Sequence, residues 1–276
     1  MGGRFLLALL WLVLAGWIYS HPVSADPSYD AVVRAWGLIL AAAFGLVSMV
    51  SPGLRFFPRA MASVALTFSV VGALLVARPN ALSRFTETVS DSLRQRSTDA
   101  LSAWNQWAAA SPRWQKFESE SQDALNHSAI YAKVTNGAAK VLPPAGAALL
   151  ALESLAALAL AWGLYHRASR TRLGPPLELL RDFRFNDQLV WGLIAGAAFV
   201  VLPALASLRG VGVNLLAFFG ALYLLRGLGV LTWFLAPRRI GLALIVLFAI
   251  VSWPITLGLG LGDTWFDLRG RARTTS

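Results

Sequence analysis

Of 276 residues, 57% are hydrophobic and 14% charged, a balance too apolar for an ordinary soluble domain. The formal charge of +10 rests mostly on arginines in short connections between apolar runs, where the Lys/Arg bias of cytoplasmic loops accounts for it and no nucleic-acid partner is implied. Cysteine is absent, which excludes disulfides, thiol catalysis and cysteine metal centres. His21, His127 and His166 have no ligand-like spacing, so no metal site is expected.

The first apolar run, Phe5 to Tyr19, follows Arg4 and precedes Val23, Ser24 and Ala25. A basic start, an apolar stretch and small residues suit a signal peptide cleaved after Ala25. The run is also only slightly shorter than the roughly 17 to 25 residues of a spanning helix, so an uncleaved first helix is the alternative. Both readings put Asp26 outside. A second run, 31–50, ends at Pro52 and Gly53, with Arg55 and Arg59 marking a cytoplasmic turn. A third, 61–76, stops before Arg78 and Pro79, and the two read as a helical hairpin.

From 81 to 141 the chain turns polar. Phe85, Val89 and Leu93, then Leu101, Trp104 and Ala108, recur at helical intervals, and beyond Ser111 and Pro112 a second pattern runs through Trp114, Phe117, Leu125 and Val134. This predicts two amphipathic helices joined at Ala110–Trp114. Trp104, Trp107 and Trp114 could form a binding or membrane-surface module, or could pack on one another or on the bundle. The acids Glu118, Glu120 and Asp123 favour packing, because a lipid-surface helix carries a basic face.

Beyond Pro143 and Pro144 a fourth run extends to Tyr165, followed by Arg167, Arg170, Arg172, Arg181 and Arg184, which marks a cytoplasmic loop. A fifth runs over 189–207, a sixth over 214–236 and a seventh over 240–261. Gly192 and Gly196 would allow a close helix contact, Pro203 a kink, and Asn214 a cap opening the sixth helix. These signs put the N-terminus inside, the polar hairpin outside and, by counting, the tail outside. The tail arginines Arg269, Arg271 and Arg273 conflict with that last placement. Pro254 with Gly258, Gly260 and Gly262 would let the last run break or re-enter. The organisation is therefore 1–80, a signal-like segment or first helix plus a hairpin; 81–142, a polar helical insertion; and 143–276, a C-terminal bundle. The fold class is all-α, a polytopic helical membrane protein with six or seven spans.

Two lone charges, Glu153 and Arg226, stand near the middle of the fourth and sixth runs. An ionisable group at mid-membrane is costly unless it faces a partner, a cavity or a ligand. Both lie in helices running outside to inside at similar depth, so a contact is possible. With Tyr223, Ser154 and Thr232 nearby, they are candidates for ligand binding or for a structural ion pair. At the arginine-rich mouth of the fifth run, Arg181, Asp182, Asn186 and Asp187 form a charged cluster among aromatics. Asp263, Trp265, Asp267 and Arg269 repeat that mixture in the tail. These eight residues anchor the chain at the headgroup level or dock a partner. No nucleophile and base pair, paired acids or phosphate loop appears. No catalytic residue and no cofactor is expected, and any ATP-driven step would belong to another chain.

The run FRFNDQLVW, Pro203, Asn214, YLLRGLGVL and the closing LGDTWFDLR together resemble the YybS-like family of bacterial membrane proteins of unknown function. The polar stretch 81–141 departs from that pattern as an insertion. The family more distantly resembles the substrate-binding subunits of energy-coupling-factor importers. That resemblance implies a transport-related, small-molecule-binding subunit of the bacterial inner membrane, working with other membrane subunits or an ATPase module. The alternative is a non-enzymatic envelope scaffold acting through the polar hairpin.

Overall fold

A computed structural model describes Val13, Ser20 and residues 27–77, 81–121, 145–169, 173–235, 245–249 and 251–274. Among these the chain is helical and without strands. Its longer helices are α1 (Pro27–Val50), α2 (Phe56–Val76), α3 (Ala81–Ala110), α4 (Pro112–Ser121) and α5 (Gly146–Ala168), then α6 (Val190–Val201), α7 (Arg209–Leu235), α8 (Trp253–Phe266) and the short α9 (Leu268–Thr274). Four stretches, 30–50, 56–76, 146–168 and 203–235, are long and apolar enough to cross a membrane, and 187–201 is a shorter apolar helix. Helices suit that solvent because every backbone bond is closed within the segment. The protein is a multi-pass helical membrane protein. The first apolar run, the far end of the polar insertion and the connection 236–244 lie outside the described residues.

α1 and α2 form the expected hairpin. Arg59 does more than mark the turn: it is fully buried, and its Nη2 donates to the carbonyls of Pro52 at 2.9 Å and Leu54 at 2.8 Å. Its guanidinium lies 4.5 Å from the Trp162 ring centroid, a cation–π contact strengthened by desolvation. Gly174 closes over it with φ +73°. A Cβ there would stand 2.7 Å from Arg59 Nη2 and 2.8 Å from the Pro52 oxygen, so the site needs both glycine's backbone freedom and its lack of bulk. Trp36 ties α1 to α5 by donating to Ser154 Oγ at 2.9 Å. The core gathers Phe44, Ala60, Leu158, Trp162 and Tyr223.

In the polar stretch the described residues form two helices joined at Ser111, in keeping with the periodicity up to Ser121; Leu125 and Val134 lie outside the described residues. The three tryptophans of these helices pack on each other, with centroids 4.9, 5.4 and 6.0 Å apart.

The fifth apolar run forms a shorter helix than expected. α6 has 12 residues and stops before Pro203, whose ring cannot continue the ladder; a 3-10 stretch, Pro203–Leu208, leads into α7. The two helices meet through glycines. A Cβ on Gly196 would stand 3.1 Å from the Gly212 carbonyl oxygen, and one on Gly192 would overlap the Phe219 ring. Asn214 lies inside α7 and does not open it. Its Oδ1 crosses to accept from Ala148 N at 2.8 Å, and its Nδ2 donates to Gly210 O at 2.8 Å. It therefore satisfies an orphan amide in the first turn of α5, a cap supplied by a neighbouring helix.

α7 and α8 cross at Gly227 and Gly260, where an added Cβ would fall 1.9 Å from the Thr256 oxygen and 2.0 Å from the Tyr223 oxygen. A turn at Ser252 interrupts the helix, and α8 begins with Pro254 in its first turn. The tail then reaches the arginine-rich segment. Arg269 donates to the carbonyls of Arg181 and Phe183, while Gly229 of α7 abuts the Leu180 oxygen. The tail, the C-terminal half of α7 and residues 180–183 thus share one end of the bundle, which removes the conflict over the tail arginines.

Candidate functional site

From Leu173 to Leu189 the chain leading into α6 is irregular, with 3-10 turns at Leu180–Asp182 and Asp187–Leu189. Trp162 and Tyr165 hold its start: Trp162 Nε1 donates to Pro175 O at 3.1 Å, and Leu173 N donates to the Tyr165 hydroxyl at 3.1 Å. Phe183 and Phe185 pin its middle against Phe57, and Phe185 also meets Tyr223 at 5.1 Å. Asn186 caps the second turn by accepting from Gln188 N at 3.0 Å. Asp187 is thereby aimed at α7.

There it joins a buried ion network. Arg226 donates from Nη1 to Asp187 at 2.7 Å, from Nε to the Asp263 carboxylate at 3.0 Å and from Nη2 to the Asp263 carbonyl at 3.2 Å. Arg269 donates to the same carboxylate at 2.7 and 3.3 Å. Asp263, Arg226 and Arg269 are 1%, 2% and 1% exposed, while the Asp187 side chain is 60% exposed. Two cations and two anions balance, and every guanidinium nitrogen holds a carboxylate or a carbonyl. That pairing is what makes burial of such charges tolerable. Chemically the network is a clamp that joins tail, loop and α7.

Glu153 is not part of it. Asn214 beside Ala148 sets the register of α5 and α7. Arg226 lies twelve residues beyond Asn214 and Glu153 five beyond Ala148, so at about 1.5 Å per residue the charges differ in depth by about 10 Å. Glu153 is exposed on α5 and makes no ion pair among the described residues. The expected contact between Glu153 and Arg226 is therefore replaced by one between Arg226 and Asp263, a residue the sequence placed in the tail cluster. Tyr223, one turn from Arg226, is fully buried and does not reach Glu153 either.

The two charged clusters, separate in the chain, converge. Besides Asp187, Asp263 and Arg269, Asp267 pairs with Arg184 at 2.7 Å and accepts from Gly270 N at 3.2 Å, from a left-handed φ of 41°. Arg181 and Asp182 pair with each other at 3.3 Å on the surface, and Trp265 is exposed. Sequence reasoning missed Glu178, which meets Arg55 at 3.2 Å. It also missed the burial of Arg59, which nothing distinguishes in the chain from the exposed Arg55 four residues earlier.

Two hollows flank residues 175–184. One, about 380 Å³, lies between α2, α5 and α7 and is walled by apolar side chains, including Phe56, Leu155, Ala159, Leu222 and Phe183, with Glu178 the sole ionisable group in its wall. The other, about 500 Å³, is walled by Arg55, Arg181, Arg184, Arg269, Glu178 and Asp182 with Gly53 and Pro175. Among the described residues no group of acids and histidines could hold a metal ion.

With this geometry in view, a family described as a predicted membrane protein (DUF2232) matches residues 35–260. The chain belongs to that family. The matched range of this DUF2232 protein includes α2 to α7, the arginine-rich segment and most of α8. No curated protein and no solved structure matches it. The family description names a membrane protein and no activity, so the function must be argued from the site.

Proposed function

We propose that this protein is a transport-related, non-enzymatic subunit of the bacterial inner membrane that binds a small molecule in the apolar hollow between α2, α5 and α7. The observation that carries the reading is that hollow. Its volume of about 380 Å³ falls within the range of roughly 300 to 1,000 Å³ typical of ligand sites, and its apolar lining with one polar group at the edge is their usual chemistry. The ligand role first suggested by Glu153, Arg226 and Tyr223 passes to this hollow, because Arg226 is buried and each of its guanidinium nitrogens already holds a protein partner. The distant sequence resemblance to energy-coupling-factor binding subunits implies a function of the same class, with an ATPase module as partner. The exposed charges Asp182 and Asp267 then serve docking.

The test is native mass spectrometry of the full chain purified in lipid nanodiscs. A bound small molecule is expected, with its occupancy cut at least tenfold by Ala159→Phe, which fills the hollow. Stable envelope partners without any ligand would overturn the reading in favour of a scaffold working through α3 and α4. In that scaffold the mutually packed Trp104, Trp107 and Trp114, with Trp107 half exposed, would form the contact surface.

A further inference from the structure

Residues 175–184 form a wall with two chemically different sides. Leu177, Leu180 and Phe183 face the apolar hollow, whereas Pro175, Arg181, Asp182 and Arg184 face the polar cleft, and Glu178 borders both. The two hollows therefore share one wall residue. Among the described residues Glu178 pairs with Arg55, at 3.2 Å, with the two side chains 32% and 75% exposed. Such an exposed pair is weak and exchanges readily.

The cleft carries four arginines against two acids, Glu178 and Asp182. Arg269 is committed to Asp263 and to backbone carbonyls. Arg55, Arg181 and Arg184 hold partners that are themselves exposed, so their guanidinium groups can turn to a better anion. A planar guanidinium offers paired donors that match a phosphate's oxygens. Asp267 on Arg184 and Asp263 on Arg269 bring the acids to four, so an anion would enter by displacing the exposed carboxylates from Arg55, Arg181 and Arg184, and a chain attached to it would find the apolar hollow next door.

We infer that the two hollows form one bipartite site for a single-chain amphiphile with an anionic, phosphate-type head. The head lies on Arg55, Arg181 and Arg184, and the chain passes Glu178 into the hollow lined by Leu222 and Ala159. The volume of about 380 Å³, near the lower end for ligand sites, suits one chain and not two. This rests on the binding function proposed above and names the class of ligand.

The experiment titrates three probes into the full chain in nanodiscs of zwitterionic lipid: dodecyl phosphate, dodecanol and inorganic phosphate. Dodecyl phosphate is expected to bind at least tenfold more tightly than either of the others. Arg181→Ala combined with Arg184→Ala, both at exposed positions, removes that preference and leaves dodecanol binding unchanged. Ala159→Phe abolishes binding of both chain-bearing probes, and the melting temperature of each variant reports that it is folded. Equal binding of dodecanol and dodecyl phosphate overturns the bipartite site while the apolar hollow stands. Phosphate binding as tight as that of dodecyl phosphate reduces the cleft to a simple anion site. Failure of both chain-bearing probes overturns the hollow as well.

Discussion

At the scale of single residues, Asp263 decides how two arginines can be buried. Asp263→Ala leaves Arg226 with only the exposed Asp187 and a carbonyl, and Arg269 with carbonyls alone. Breaking a buried network by removing one partner typically costs about 3–5 kcal/mol. A correspondingly large fall in the unfolding midpoint is expected by scanning fluorimetry in detergent. Glu153→Ala should leave the midpoint unchanged or raise it in the same assay, because it removes an ionisable group from the apolar part of a spanning helix. Equal losses for the two variants would mean that Glu153 has a partner after all. The importance of Arg226 was legible because a lone charge in an apolar run must find company. Its partner was not. Two acids at 153 and 263 were both available in the chain, and only the helix register separates them.

At the scale of elements, glycines identical in the sequence do different work. Gly258 and Gly260 stand in the same GLGLG run, yet a Cβ on Gly258 meets nothing, whereas one on Gly260 strikes the backbone of α7. Gly260→Ala must push two helices apart, and overpacking of this kind costs about 1–3 kcal/mol. Gly258→Ala should be neutral or stabilising, since Ala is the better helix former. Thermal unfolding of the pair checks this, and a harmless Gly260→Ala would contradict the close crossing. Elsewhere the periodic signals served well. The hairpin of α1 and α2 and the two amphipathic helices follow from hydrophobic spacing and from Pro and Gly punctuation. The length of α6 and the start of α7 did not, because composition stays apolar across Pro203 while the helix stops.

At the scale of the whole molecule, the tail and the arginine-rich segment belong to one end. The native chain has no cysteine, so single cysteines placed at Asp182 and at Thr274 report sidedness cleanly. Both should react with a membrane-impermeant thiol reagent from the same side of vesicles, and labelling from opposite sides would refute the placement of the tail. Arg269→Ala should also raise amide exchange across residues 180–184, because it removes two donors that hold that strand of backbone. Exchange unchanged from wild type would show that the aromatic contacts of Phe183 and Phe185 suffice to hold it.

Residue chemistry alone was enough for a helical, multi-pass membrane protein. Long apolar runs have one stable form in lipid, and that form closes its hydrogen bonds locally. The same local character explains why capping, turn and amphipathic signals could be read from neighbours in the chain. Pairing is not local. Asp187, Arg226, Asp263 and Arg269 span more than eighty positions, and each had several possible partners. The crossing of α7 and α8 at two glycines and the register of α5 with α7 at Asn214 chose among them. Those choices depend on which surfaces fit closely enough to exclude everything else, a property of the packed bundle and not of any one segment.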